Sequence, residues 1–235
     1  MAGAGGLLRA AESGEEVVEA YFSPAGRMDR ATLYTGEMRA HAEEKTLGEF
    51  YGPGAAKTVR LLERDAIREI YGVEVRHPAG VQDWYLYLRK ADERWRLAEV
   101  RTLSLTGTLR MGLKSLRDAK RRTAEQEWQR RNLELTLASD AELRAYVREN
   151  LAAFDALAAL VSGGSVGAAN AARQLHLQRV TRREDGAVRA LVGGVLDNTV
   201  GYLALPYGGT APSMDPNRFI LVERAAGRWM LFKTT

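Results

Sequence analysis

The 235-residue chain contains no cysteine. Disulfide frameworks, thiol catalysis, cysteine-ligated zinc and iron–sulfur clusters are excluded together, and an oxidising or reducing compartment suits such a chain equally. Histidine is scarce: His41, His77 and His176 stand far apart, and none has a second histidine at ligand spacing, so no metal site is expected. Long apolar runs are missing too. The longest, "LAAFDALAALV", is broken by Asp155 and too short to cross a bilayer. The opening "MAGAGGLLRAAESG" lacks the apolar core of a signal peptide. A soluble, cytoplasmic protein is expected, a processed exported form being the alternative.

Surplus charge is also scarce, and it is local. The net charge is +4, yet residues 110–131 alone hold eight basic side chains against three acids. The rest of the chain is therefore slightly acidic, and attraction of the whole surface to nucleic acid is not implied.

With 46% hydrophobic and 27% charged residues, the composition is that of a globular protein, long enough for one large domain or two smaller ones. Its two halves rhyme. "SGEE" at 13–16 and "SDAE" at 139–142 both set serine three residues before glutamate, the spacing of a capping box at a helix start. Leu143, Val147, Leu151, Phe154, Ala158 and Val161 then follow helical spacing up to Gly163-Gly164. After Ser13 the apolar run is shorter and stops near Pro24.

Each half also closes alike: "YLYLRKADERWRLA" aligns on "FILVERAAGRWMLF". Alternation broken by a short polar turn predicts a β-hairpin in each half. A three-residue turn at Ala91-Asp92-Glu93 sets Leu86 and Leu88 on one face with Ala98 and Val100, and Tyr85, Tyr87, Trp95 and Leu97 on the other. The same rule groups Ile220 and Val222 with Met230 and Phe232, against Phe219, Leu221, Trp229 and Leu231. Large side chains on both faces imply that both are covered, one by a helix and one by a partner sheet. Further strands are expected at "KTVRLLE", "REIYGVEVR", "QLHLQRVTR", "VRALVGGVL" and "TVGYLALP", and a helix over 37–44.

The fold class is therefore α+β: two domains of helix plus curved antiparallel sheet, for which tandem duplication is one origin. The divisions are 1–108, a basic connecting helix 109–136, and 137–235. The first half resembles the nuclear-transport-factor-two-like group, the curved cone that also houses ketosteroid isomerase. "VVEAYF" at 17–22 is similar to that group's opening helix, and "DERWRLAEVRTL" to its closing strand. The resemblance is weaker over 139–235, where "VGGV" and a proline-containing loop depart from it. It implies a pseudo-dimer within one chain or a homodimer through the sheets, and for a catalytic member an acid or base in an apolar pocket.

No motif fixes that residue. Asp83, Glu69 and Tyr71 are the catalytic candidates, with Glu69 and Tyr71 sharing a face and Glu74 on the other; solvated strand charges are the plain alternative. Tyr71, Tyr85, Tyr87 and Trp95 are the candidate ligand-binding aromatics. "GPGAAKT" at 52–58 departs from a phosphate loop, because Ala56 stands where glycine must precede the lysine. Lys120, Arg121 and Arg122 mark the basic helix as a docking stripe for phosphate or an acidic partner; a solvated connector is the alternative. The loop 207–217 is a binding edge or a stiff connection.

The expected function is non-catalytic binding of a protein partner or small apolar ligand on a sheet or cone surface, without a cofactor. A cofactor-free lyase, isomerase or hydrolase using one pocket carboxylate or tyrosine is the first rival. A nucleic-acid accessory protein acting through the basic helix is the second, and no groove-reading motif accompanies it.

Overall fold

The computed structural model describes residues 11–23, 30–78 and 80–235. The glycine-rich opening at 3–6 and the expected helix stop at Pro24 lie outside them. The chain divides between Arg101 and Thr102 into two units. The architecture is α+β, with helices and two separate antiparallel sheets of four and five strands. Among the described residues no helix is long and apolar enough to cross a membrane.

In the first unit Ser13 and Glu16 form the expected capping box on α1 (Gly14–Tyr21). A short α2 (Arg30–Leu33) and a 3-10 turn, Gly36–His41, follow where a helix over 37–44 was expected. A second box, Thr46 with Glu49, starts α3 (Leu47–Tyr51). Strands β1 (Ala56–Arg64), β2 (Arg68–His77), β3 (Gly80–Ala91) and β4 (Arg94–Arg101) then form a meander in the order β1-β2-β3-β4. Within "GPGAAKT" the first four residues form the loop entering β1, and Ala56-Lys57-Thr58 open the strand.

The β3–β4 turn corrects the facial assignment. Ala91 pairs with Arg94, leaving only Asp92 and Glu93 in the turn, both left-handed at φ 50° and 60°. One residue fewer in the turn shifts the register, so Trp95 faces with Lys90 and Leu97 with Leu88. A bulge at Ala98 then puts Leu86 opposite Val100, on the shared face expected of them. Leu86, Leu88, Leu97 and Trp95 thus join Tyr71, Val73 and the α1 residues Val17 and Val18 in one core. Tyr85 and Tyr87 point the other way and are also buried.

The second unit comprises α4 (Thr106–Asp118), α5 (Ala124–Thr136), α6 (Asp140–Glu149), α7 (Leu151–Ser162), α8 (Ala168–Gln174), β5 (Arg179–Arg182), β6 (Val188–Val195), β7 (Asn198–Ala204), β8 (Phe219–Ala226) and β9 (Trp229–Thr234). Its sheet runs β5-β6-β7-β9-β8. The closing hairpin therefore joins its sheet through β9, whereas the first unit's joins through β3. The rhyme between the halves is a shared hairpin and a shared cap, and it does not extend to strand order.

The basic segment is not one connecting helix. Ala119 is extended, and Thr123 with Gln126 starts a new helix, α5, by a capping box. Both helices belong to the second unit, where α5 packs on β6. "QLHLQRVTR" is likewise shorter as a strand than its alternation implies. His176 sits in the turn after α8 at φ 52°, and β5 starts only at Arg179.

On the helix-covered face, Phe154 stands edge-on to Tyr202 and Trp229, at centroid distances of 5.2 and 5.1 Å. The Tyr202 hydroxyl donates to the Leu143 carbonyl at 3.0 Å. Lys233 and Asp140, both almost fully buried, pair at 2.8 Å. On the other face Met230, Phe232, Leu203 and Ala187 form a smaller cluster with Val222, Phe219 and Ala211. A bulge at Ile220 carries Phe219 onto that face, contrary to simple alternation. The loop 207–217 supplies Ala211 to that cluster and buries Met214.

Candidate functional site

A cavity of about 370 Å³ opens in the first unit between its helical layer and the sheet. Its apolar wall forms because α1 turns Tyr21 inward one helical turn after Val17 and Val18, all three buried. Tyr34 follows α2, where Thr35 N–H donates to the Leu97 carbonyl at 2.8 Å and fixes the segment on β4. From β3, Trp84 points to the helix side, opposite Val73. Its indole N–H donates to the Tyr51 hydroxyl at 2.9 Å, so the ring's orientation is set from outside the cavity. The Tyr21 and Tyr34 rings meet edge to face at 6.2 Å.

Charged groups form the rim, and most are paired. Arg101 binds Glu37 at 2.7 Å and Glu99 at 2.9 Å, and His41 Nδ1 lies 2.9 Å from Glu44. The Arg101 hydrogen bond holds the Glu37 carboxyl below the usual range. Burial, aided by Tyr34 and Glu44, pushes the Tyr21 phenol well above its ordinary value, and burial also raises Tyr34. Both phenols stay protonated at neutral pH and are available as hydrogen-bond donors. The cavity is an aromatic slot with a polar edge, suited to holding a flat or apolar body by one end.

The residues singled out from sequence lie elsewhere. Glu69 and Tyr71 do share a face, and the Tyr71 hydroxyl donates to Glu69 at 2.8 Å. Arg64 binds the same carboxylate at 2.7 Å. The group sits directly beneath Gly14, where a β-carbon would overlap the Glu69 carboxylate and crowd the Tyr71 hydroxyl. Burial, then the bond to Glu69, pushes Tyr71 up to about 12. This cluster anchors the start of α1. Asp83 is opposite Glu74 on the other face, with Tyr85 and Tyr87. Tyr71, Tyr85, Tyr87 and Trp95 therefore do not form one aromatic wall, because strand alternation sends Tyr85 and Tyr87 away from the other two.

Arg122 donates to the Leu116, Arg117 and Ala119 carbonyls and to Glu127; it closes the end of α4. Lys120 and Arg121 are exposed in the break between the helices. Glu127 and Glu134 bind Arg130, Glu134 binds Arg117, and Lys114 binds Asp118. Among the described residues no group of three or more histidines and carboxylates is placed to hold a metal.

Sequence reasoning missed Tyr21, Tyr34, Met38 and Trp84 as a set. Two signals were available: Tyr21 continues the apolar stripe of α1, and Trp84 alternates in step with Leu86 and Leu88. Tyr34 comes from the link after α2, and Met38 from the 3-10 turn Gly36–His41, too short to show a period. No protein-family model, curated protein or solved structure matches this chain.

Proposed function

We propose that this is a non-catalytic binding protein whose first unit takes a small, largely apolar ligand in the Tyr21–Tyr34–Trp84 cavity. The observation that carries the reading is a helix-to-sheet slot with aromatic walls whose charged rim is mostly bonded to itself. Such a rim orients a ligand's polar end without supplying a reactive group to its body. The resemblance of the first half to the nuclear-transport-factor-two-like group belongs to this proposal, since an opening helix laid over a meander is the arrangement it implies.

The rival chemistry, one pocket carboxylate or tyrosine, receives less support through the residues named for it, Glu69, Tyr71 and Asp83. Glu69 is engaged by Arg64 and Tyr71, and neither it nor Asp83 lines the cavity. The accessory nucleic-acid reading loses weight because Glu127 and Glu134 engage Arg117, Arg122 and Arg130 of the basic segment.

The test uses N-phenyl-1-naphthylamine, a neutral apolar fluorophore. Saturable binding is expected, lost in Met38→Trp, which fills the cavity, and kept in Ala145→Phe, which lies in α6. Circular dichroism melting checks that Met38→Trp folds. Binding that is absent, or unchanged by Met38→Trp in folded protein, would overturn the reading.

A further inference from the structure

The second unit holds a larger cavity, of about 680 Å³, walled by α4, α5 and α6. Leu113, Leu135, Leu137, Ala145 and the Tyr146 ring give it an apolar floor. Several polar groups around it are already committed. Arg117 binds Glu134 at 2.9 Å, Glu142 caps the Ser139 N–H at 2.8 Å, and Tyr146 donates to the Leu175 carbonyl at 3.1 Å.

Two groups differ. His176 enters from the turn after α8 with a left-handed backbone, a costly conformation for most L side chains. Its carbonyl is fixed by Asn132 at 2.7 Å, yet its buried Nδ1 has no hydrogen-bond partner. That nitrogen is closed off by the protein, so it is the rest of the ring, which lines the cavity, that can meet a ligand. Burial, then the nearby Arg131 charge, keeps the ring neutral at neutral pH, with one N–H to donate. Arg131 is half-exposed and only loosely held, with Glu127 at 3.5 Å and Glu134 at 3.8 Å, beyond good hydrogen-bond distance.

We propose that this cavity binds a monocarboxylate with an apolar body, its head taken by Arg131 and His176 and its body by the leucine-lined floor. A singly charged head fits better than a phosphate. Glu134, Glu142 and Glu149 also line the cavity, so a second negative charge on the head would meet still more carboxylate repulsion.

The experiment is calorimetric titration of the full chain with octanoate, octanol and octyl phosphate. Octanoate is expected to bind, with octanol and octyl phosphate weaker. Arg131→Gln should weaken octanoate by about tenfold, the worth of a charge-assisted hydrogen bond, and leave octanol unchanged. His176→Gly keeps the left-handed backbone and should weaken octanoate severalfold, and Ala145→Phe should block it. Met38→Trp, in the first unit, should leave octanoate binding intact. No octanoate binding, equal affinity for octanoate and octanol, or an Arg131→Gln protein that binds octanoate normally would overturn the proposal. Tighter binding of octyl phosphate would overturn the assignment of a singly charged head.

Discussion

At the scale of single residues, the two units each bury ionic chemistry under a helix start, by different means. In the first, Glu69 is held by Arg64 and Tyr71, and the absent side chain of Gly14 lets α1 descend onto it. Alanine normally favours a helix over glycine by roughly 0.5–1 kcal/mol. Here Gly14→Ala is expected to destabilise, by about 1–3 kcal/mol, because the β-carbon must displace a buried carboxylate; urea unfolding reads the sign. Tyr71 carries a pH signature. Its pKa is raised to about 12 from about 10 in an unfolded chain. The native state keeps the proton longer, so its contribution is full below about pH 10 and is lost as pH rises through about 12. Tyr71→Phe should remove that part of the alkaline loss of stability. In the second unit Asp140 opens α6 and meets Lys233 from β9. Lys233→Met should cost about 3–5 kcal/mol by removing the cation that faces a buried carboxylate, and adding Asp140→Asn should recover part of it. Equal stability of the wild type and Lys233→Met would show that Asp140 is satisfied without the lysine.

At the scale of elements, much was legible because local chemistry decides helix starts and strand alternation. The boxes at Ser13 and Ser139 form as their spacing implies. The same rule written as Thr123 and Gln126 was equally present, and it explains why the basic segment breaks into α4 and α5. Basic residues at helical spacing concealed that cap. What alternation does not contain is a count of turn residues or bulges. One residue fewer between Ala91 and Arg94 moved Trp95 and Leu97 to the opposite face, and bulges at Ala98 and Ile220 shifted the pairing again. The break between the helices is testable. Thr123→Ala should lower stability by about 1 kcal/mol through loss of the α5 cap, read by thermal melting. Acid should loosen the junction of α4 and α5 as well. The Arg130 hydrogen bond holds Glu127 down to about 2, with Arg122 adding to it, against about 4.3 in the unfolded chain. That contribution is present above about pH 4.3 and fades as pH falls through about 2. Glu127→Gln should flatten this part of the acid profile, and added salt should diminish the effect because these groups are at the surface.

At the scale of the whole molecule, the Arg-Trp pairs 94–95 and 228–229 both stand at a two-residue turn but in different places: Arg94 is already in β4 and paired with Ala91, whereas Arg228 lies in the turn and β9 begins at Trp229. Trp95 is the second residue of an edge strand, partly exposed against the first core. Trp229 restarts a strand between two neighbours and is fully buried beside Phe154. Topology of this kind depends on which hairpin arm finds a long-range partner, and a period-two pattern carries no such information. The candidate cavity was hidden for a related reason, since Tyr34 and Met38 reach it from a short link and a 3-10 turn, too brief to show which side chains turn inward. The division at Arg101 and Thr102 has its own consequence for stability. Phe154 joins α7 to β7 and β9 through Tyr202 and Trp229, so Phe154→Ala should cost about 3–5 kcal/mol. Hydrogen exchange is expected to rise across α6 to α8 and β5 to β9 while α1 and β1 to β4 keep their protection. Uniform loss across both sheets would mean that the chain unfolds as one cooperative body, and the two cores would then have to be treated as a single energetic unit.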